Sequence, residues 1–312
     1  MNFRKSILNL AVTAAAAFSF APAFAVTITA DYSQLGSVYQ SSNGVLFNTM
    51  ATGLVDVTDL FKANVTTGMA YLQNAIVLNW DTTITFRLAD LKSVAVGDSQ
   101  ITSSNSDRRP ATSIIQVDTG NLSLFVDPTP ADNSEFTLMN KSTLLGGSSV
   151  NIARFGNAVA AGPAAGRYDL VTLVVHETEH SLGFADTDRF IDLAGANNST
   201  GRSLTVSKDL TGFGMDFSVP ILGASAHIDG VTQNALFNDT TVAEPGFGAG
   251  QRALVTDVEL YALCSAVGCA APADVNLGEA VAAVPEPSEW ALLLAGGAVV
   301  AGVSRRRKSP VA

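Results

Sequence analysis

The sequence predicts an α+β fold: a twisted sheet with a backing helix, a second helix after the sheet, and a loop-rich C-terminal part that ends in a helix. Three observations carry this reading. Short runs rich in β-branched residues fall mainly in the first half of the chain. Three longer stretches are apolar at helical spacing. The segments run strand, helix, strands, hairpin, helix, irregular segment, helix, which suits a sheet covered by helices.

Val26 to Tyr32 alternates enough to be a first strand. From Val57 to Ile76, Leu60, Phe61, Val65, Met69, Leu72 and Ile76 recur mostly three or four apart and form one helical face. Asp56 or Thr58 can cap that helix. Thr82 to Leu88 (TTITFRL) reads as a strand. Gly97 to Thr112 is polar, with a basic pair at Arg108 and Arg109, and reads as a long surface loop. Ser113–Val117 and Leu122–Val126 flank Asp118-Thr119-Gly120-Asn121, a hairpin signal. Val150 to Ala153 reads as a short strand, and Gly156 to Gly166 as a flexible Ala/Gly passage. Asp169 to Leu182 reads as a helix, with Asp169 at its start and Gly183 at its stop. Asp257 to Val267 is the last helix, with Tyr261 on its apolar face. The chain between these two helices, about 70 residues, is irregular, and such length points to function or to a tied-down subdomain.

The two ends stand apart from this fold. Arg4 and Lys5, then a mostly apolar run to Pro22, then Ala23-Phe24-Ala25 read as a secretory signal peptide over residues 1–25. Near the other end, Pro285-Glu286-Pro287 precedes an uncharged run from Trp290 to Ser304, followed by Arg305, Arg306, Arg307 and Lys308. That run is short for a membrane span, which needs about 20 residues. The arrangement resembles the PEP-CTERM sorting signal of Gram-negative bacteria. The resemblance implies transient membrane association, processing by an exosortase-type enzyme, and release to the cell envelope or the outside. Residues 26–284 remain as one domain.

The chain has 18 basic and 28 acidic residues, a net charge of −10. Six of the basic residues lie in the two terminal segments, so the domain itself is more acidic still. Such a surface argues against nucleic-acid binding. The only two cysteines, Cys264 and Cys269, lie five apart in a chain read as exported. They can close a small loop only if the backbone leaves helix between them, and spacing leaves that open.

Residues 176–186 read HETEHSLGFAD. Two of the chain's three histidines lie here, four apart and so on one helix face. His176 and His180 can therefore hold one zinc ion, which accepts neutral imidazole and needs three protein ligands in a catalytic site. Glu177 lies beside them and can take a proton from a water activated by the metal. This is the HExxH logic of a metallopeptidase. Asp186 has the spacing of a third ligand. His227, the remaining histidine, is the competitor: a distant third ligand, a donor to a developing oxyanion, or a loop histidine bonded to Asp229. Asp186, Asp188 and Asp192 also suit calcium, although the full EF-hand pattern is missing.

His176-Glu177-x-x-His180-x-x-Gly183-x-x-Asp186 resembles the long motif of metzincin zinc endopeptidases, in its snapalysin-like form that ends in Asp. The chain is also similar to HExxH metalloproteases with PEP-CTERM tails, through the helix and strand at Leu60–Leu88, the stretch His227 to Gly230 and the final helix ending in glycine. The resemblance is strong only at 169–186 and 227–230. It implies His176, His180 and Asp186 as zinc ligands, Glu177 as general base, a protein or peptide substrate, and a methionine turn for which Met215 is the only downstream candidate. A non-catalytic envelope or matrix protein that keeps the same fold is the alternative. Glu177 favours the enzyme, because a structural zinc has no use for it.

Overall fold

The computed structural model describes residues 26–35, 39–40, 46–47, 58–89, 91, 95–118, 123–223, 225–229 and 247–277. The signal peptide and the sorting signal read from the sequence lie outside these residues, as does Gly230.

The first half begins with β1 (Thr27–Asp31) and a short antiparallel pair, β2 (Tyr39–Gln40) and β3 (Leu46–Phe47). Then come α1 (Thr58–Ala75), β4 (Asp81–Ala89), β5 (Gly97–Ser104) and β6 (Pro110–Asp118). The main sheet has the order β1-β4-β6-β5. Its first three strands are parallel, and β5 runs antiparallel on the edge. In β4, Thr82, Ile84, Phe86 and Leu88 are the buried set, which is the alternation of a strand with one packed face.

Two sequence expectations fail here. Residues 97–112 are not a loop: they form β5 and the start of β6, joined by a turn in which the Asn105 N–H donates to Arg109 O. The strand was hidden because Gly-Asp-Ser-Gln-Ile-Thr-Ser-Ser is polar almost throughout, as an exposed edge strand permits. The hairpin between Ser113–Val117 and Leu122–Val126 does not form either. β6 is claimed on both sides by β4 and β5. The second half of that hairpin supplies β7 (Leu124–Phe125), which pairs in parallel with β10 (Tyr168–Asp169).

Between β7 and β10 lies a long hairpin, β8 (Phe136–Leu145) and β9 (Ser148–Ala158), of which the predicted Val150–Ala153 strand is a part. Next come α2 (Leu170–Leu182), α3 (Asp188–Ala194), β11 (Ser203–Val206), α4 (Lys208–Thr211) and β12 (Phe217–Pro220). The chain then gives β13 (Gln251–Ala253), α5 (Asp257–Val267) and a single 3-10 turn at Pro272–Asp274. β13, β9 and β8 make a three-stranded sheet with β8 at its edge. The described part of the stretch between α2 and α5 is tied down, with β11 and β12 antiparallel and α5 packed on β11.

One core joins these parts. α1 packs on β1 and on α2, and α2 lies across β5 and β6. Gly68 lets the two helices meet: a methyl group there would lie 2.7 Å from Val174 Cγ1. Tyr261 belongs to the core, as its place on the last helix suggested. No described helix is long and apolar enough to cross a membrane.

Cys264 and Cys269 are bonded. The helix α5 ends at Val267, and Gly268 takes a left-handed φ of 92°, which turns the chain back and brings the two Cα atoms to 5.1 Å.

Candidate metal centre

Helix α2 is buried on nearly all sides; every residue from Leu170 to Leu182 is buried except His180, which is half-buried. Its ends are closed by side chains and turns. Asp169 caps the N-terminus, accepting from the Thr172 N–H at 2.9 Å and the Thr172 hydroxyl at 2.7 Å. The same carboxylate takes Arg252 bidentately, at 2.9 and 2.8 Å. Arg252, with no side-chain exposure, also donates to Asp127 at 2.6 Å and to the Asp132 carbonyl at 2.9 Å. One buried guanidinium therefore fixes where the helix starts.

The other end places the histidines. Gly183, with φ 122°, ends the helix and lets the Phe184 N–H reach back to Glu179 O at 3.0 Å. That reversal puts the Phe184 carbonyl 2.6 Å from His180 Nδ1. A carbonyl only accepts, so Nδ1 carries the proton and His180 Nε2 keeps its lone pair for another partner.

His180 Nε2 lies 3.2 Å from His176 Nε2 and 3.1 Å from His227 Nε2. His227 arrives from the turn after β12. There the Leu222 N–H donates to His227 O and the Asp229 N–H to Pro220 O, each at 2.9 Å. Ile228 is buried in the core. His227 Nδ1 lies 2.8 Å from Ser225 Oγ, not on Asp229 as one sequence reading had it. The three histidines form a group able to hold a metal ion, with ligand atoms all within 4.8 Å of one another.

The donor set fits zinc. Tetrahedral zinc with Zn–N bonds of about 2.05 Å separates its nitrogens by about 3.3 Å, close to the two distances seen. Burial lowers the pKa of His180, partly offset by the Phe184 carbonyl and by Asp98 and Asp186. His227 is pushed down to about 3 by burial and by His180. Neutral imidazoles are the form a metal needs.

Asp186 does not join the group. Its Oδ1 is held by the Arg202 guanidinium at 2.6 Å, although the residue lines the cleft. The expected ligand Asp186 is thus paired with a buried arginine, and the third imidazole of the group comes from 47 residues beyond His180. His227 therefore stands as a ligand candidate. Of the carboxylates suited to calcium by spacing, Asp186 is paired with Arg202 and Asp192 with Arg108. Met215, the methionine-turn candidate, is 46% exposed.

The cleft beside the histidines has a volume of about 450 Å³. Glu177 lines it together with Gly97, Asp98 and Ser99 of β5. Burial first, and then the Asp98 carboxylate, push the Glu177 pKa up to about 8. Gly97 makes this placement possible: a Cβ there would stand 2.8 Å from Glu177 Oε1 and 3.1 Å from its Cγ. The Phe247 ring stands edge-on to His176, with ring centres 6.2 Å apart. Glu179, two residues on, has a different fate. It is buried near Glu259, with a pKa well above the carboxylate range through burial and then through Glu259.

Sequence reading missed Gly97, Asp98, Arg202 and Phe247. The first two lay in a strand disguised as a loop. The others belong to segments with no local periodicity to mark them. In comparisons with known proteins, no family model matches the chain, and no curated protein matches it.

Proposed function

We propose that this chain is an exported zinc-dependent endopeptidase of metzincin-like kind, with His176, His180 and His227 as the metal ligands and Glu177 as general base. The observation that carries the reading is the convergence of three imidazoles beside a cleft-facing carboxyl. Zinc bound there would supply Lewis acidity toward a peptide carbonyl and make a water easier to deprotonate. Glu177 is placed to take a proton from a water in the cleft and return it to the leaving amine. β5 lies on the rim as an edge strand with one side unpaired by any described strand, which suits an extended peptide. The terminal segments add export by the signal peptide and release after exosortase-type removal of the tail.

The test is zinc content and casein hydrolysis of the mature protein and of Glu177→Ala. The expected result is zinc in both proteins and hydrolysis only in the first. Hydrolysis at equal rates, or no metal in either, refutes the proposal.

A further inference from the structure

Arg202 lies just ahead of β11, and its side chain has no exposure. It makes four bonds that converge from three directions. Nε donates to Gly195 O at 3.1 Å. Nη1 donates to Leu222 O at 3.1 Å and to Ser225 O at 3.2 Å. Nη2 donates to Asp186 Oδ1 at 2.6 Å. One guanidinium thus ties the segment that follows the helix α2 to the turn that presents His227.

Ser225 is the link between this clamp and the metal centre. Its carbonyl is held by Arg202, while its hydroxyl meets His227 Nδ1 at 2.8 Å. Any shift of the turn moves the contact that orients the imidazole. Partners one step removed from a ligand typically control metal affinity by about 10–100-fold. Arginine suits the place because its planar fork serves several fixed acceptors at once, which a lysine cannot do.

We infer that Arg202 is a positioning residue for His227, and that Asp186 serves this site as the counter-charge of Arg202 and not as a ligand. The inference rests on the metal-centre reading above and gives Asp186 a role that its spacing alone concealed.

The test is a double-substitution cycle read by Co2+ titration, with visible absorption reporting the ligand set. Arg202→Lys is expected to weaken Co2+ binding at least about tenfold and to change the spectrum. In a His227→Ala background the same substitution is expected to change affinity less than about twofold, because its target is gone. Equal losses in both backgrounds, or none in either, overturn the inference. Should Arg202→Lys fail to fold, Asp186→Asn takes its place with the same expected pattern. If Asp186→Asn also weakens binding in the His227→Ala background, Asp186 is itself a ligand and the inference falls. No uptake of Zn2+ or Co2+ by the unsubstituted protein would sink the metal reading itself. Normal uptake with unaltered Arg202→Lys would sink only the role of Arg202.

Discussion

Replacing Arg252 with methionine keeps the length of the side chain and removes its charge. Two carboxylates, Asp127 and Asp169, would then face each other's surroundings without a counter-ion, both essentially closed to water. Breaking a buried ion pair from one side costs about 3–5 kcal/mol. For a chain of this size the urea dependence is about 3 kcal/mol per molar, so the midpoint should fall by about 1–1.7 M. The loss has a pH signature. Burial already holds the Asp127 carboxyl above its ordinary range, while Arg252 pulls the other way. Without Arg252 that pKa rises further. A raised carboxylate pKa means that the folded state holds the proton more tightly, so stability falls as pH climbs from about 4 through the folded value. The gap between Arg252→Met and the unsubstituted protein should therefore be wider at pH 7 than near pH 4. Urea unfolding followed by circular dichroism at the two pH values measures it. A midpoint change under about 0.3 M at pH 7, or a gap that widens in acid, refutes the reasoning.

Four further outcomes are expected. Glu177→Gln should keep its metal and lose about 10²–10⁴-fold in turnover, measured as kcat alongside zinc content. Gly97→Ala should keep metal and KM but lower kcat at least about tenfold, because the Glu177 carboxyl must leave its place; unchanged kcat counts against the packing argument. His227→Ala should release zinc at chelator concentrations that leave Asp186→Asn loaded, read by metal analysis after dialysis. Reduction of Cys264–Cys269 should cost about 2 kcal/mol, the loop-closure value for so short a ring, seen as a lower Tm in dithiothreitol.

Three helices were legible because their signals are local. Asp169, Gly183 and the apolar run between them define α2 within a dozen residues, and Asp257–Val267 matches α5 at both ends. His176, Glu177 and His180 were legible for the same reason, since their geometry is one turn of helix. The third histidine was named only as one alternative to Asp186. His227 reaches the cluster through a turn pinned by Arg202, and no pattern in residues 195–230 announces that bond. Asp186 shows the converse limit of a local reading. Its spacing is that of a ligand, but spacing says nothing about a buried cation waiting beside it. β5 was lost because an edge strand has no second neighbour to demand apolar alternation, and that strand carries Gly97 and Asp98 into the cleft.

β8 leaves one side of a ten-residue strand unpaired among the described residues. Leu138, Met139 and Leu144 are exposed along it, and Lys141 is its single formal charge. A second molecule approaching edge-on would meet N–H and C=O groups that no described strand pairs. Concentrated protein therefore has a route to strand-by-strand association.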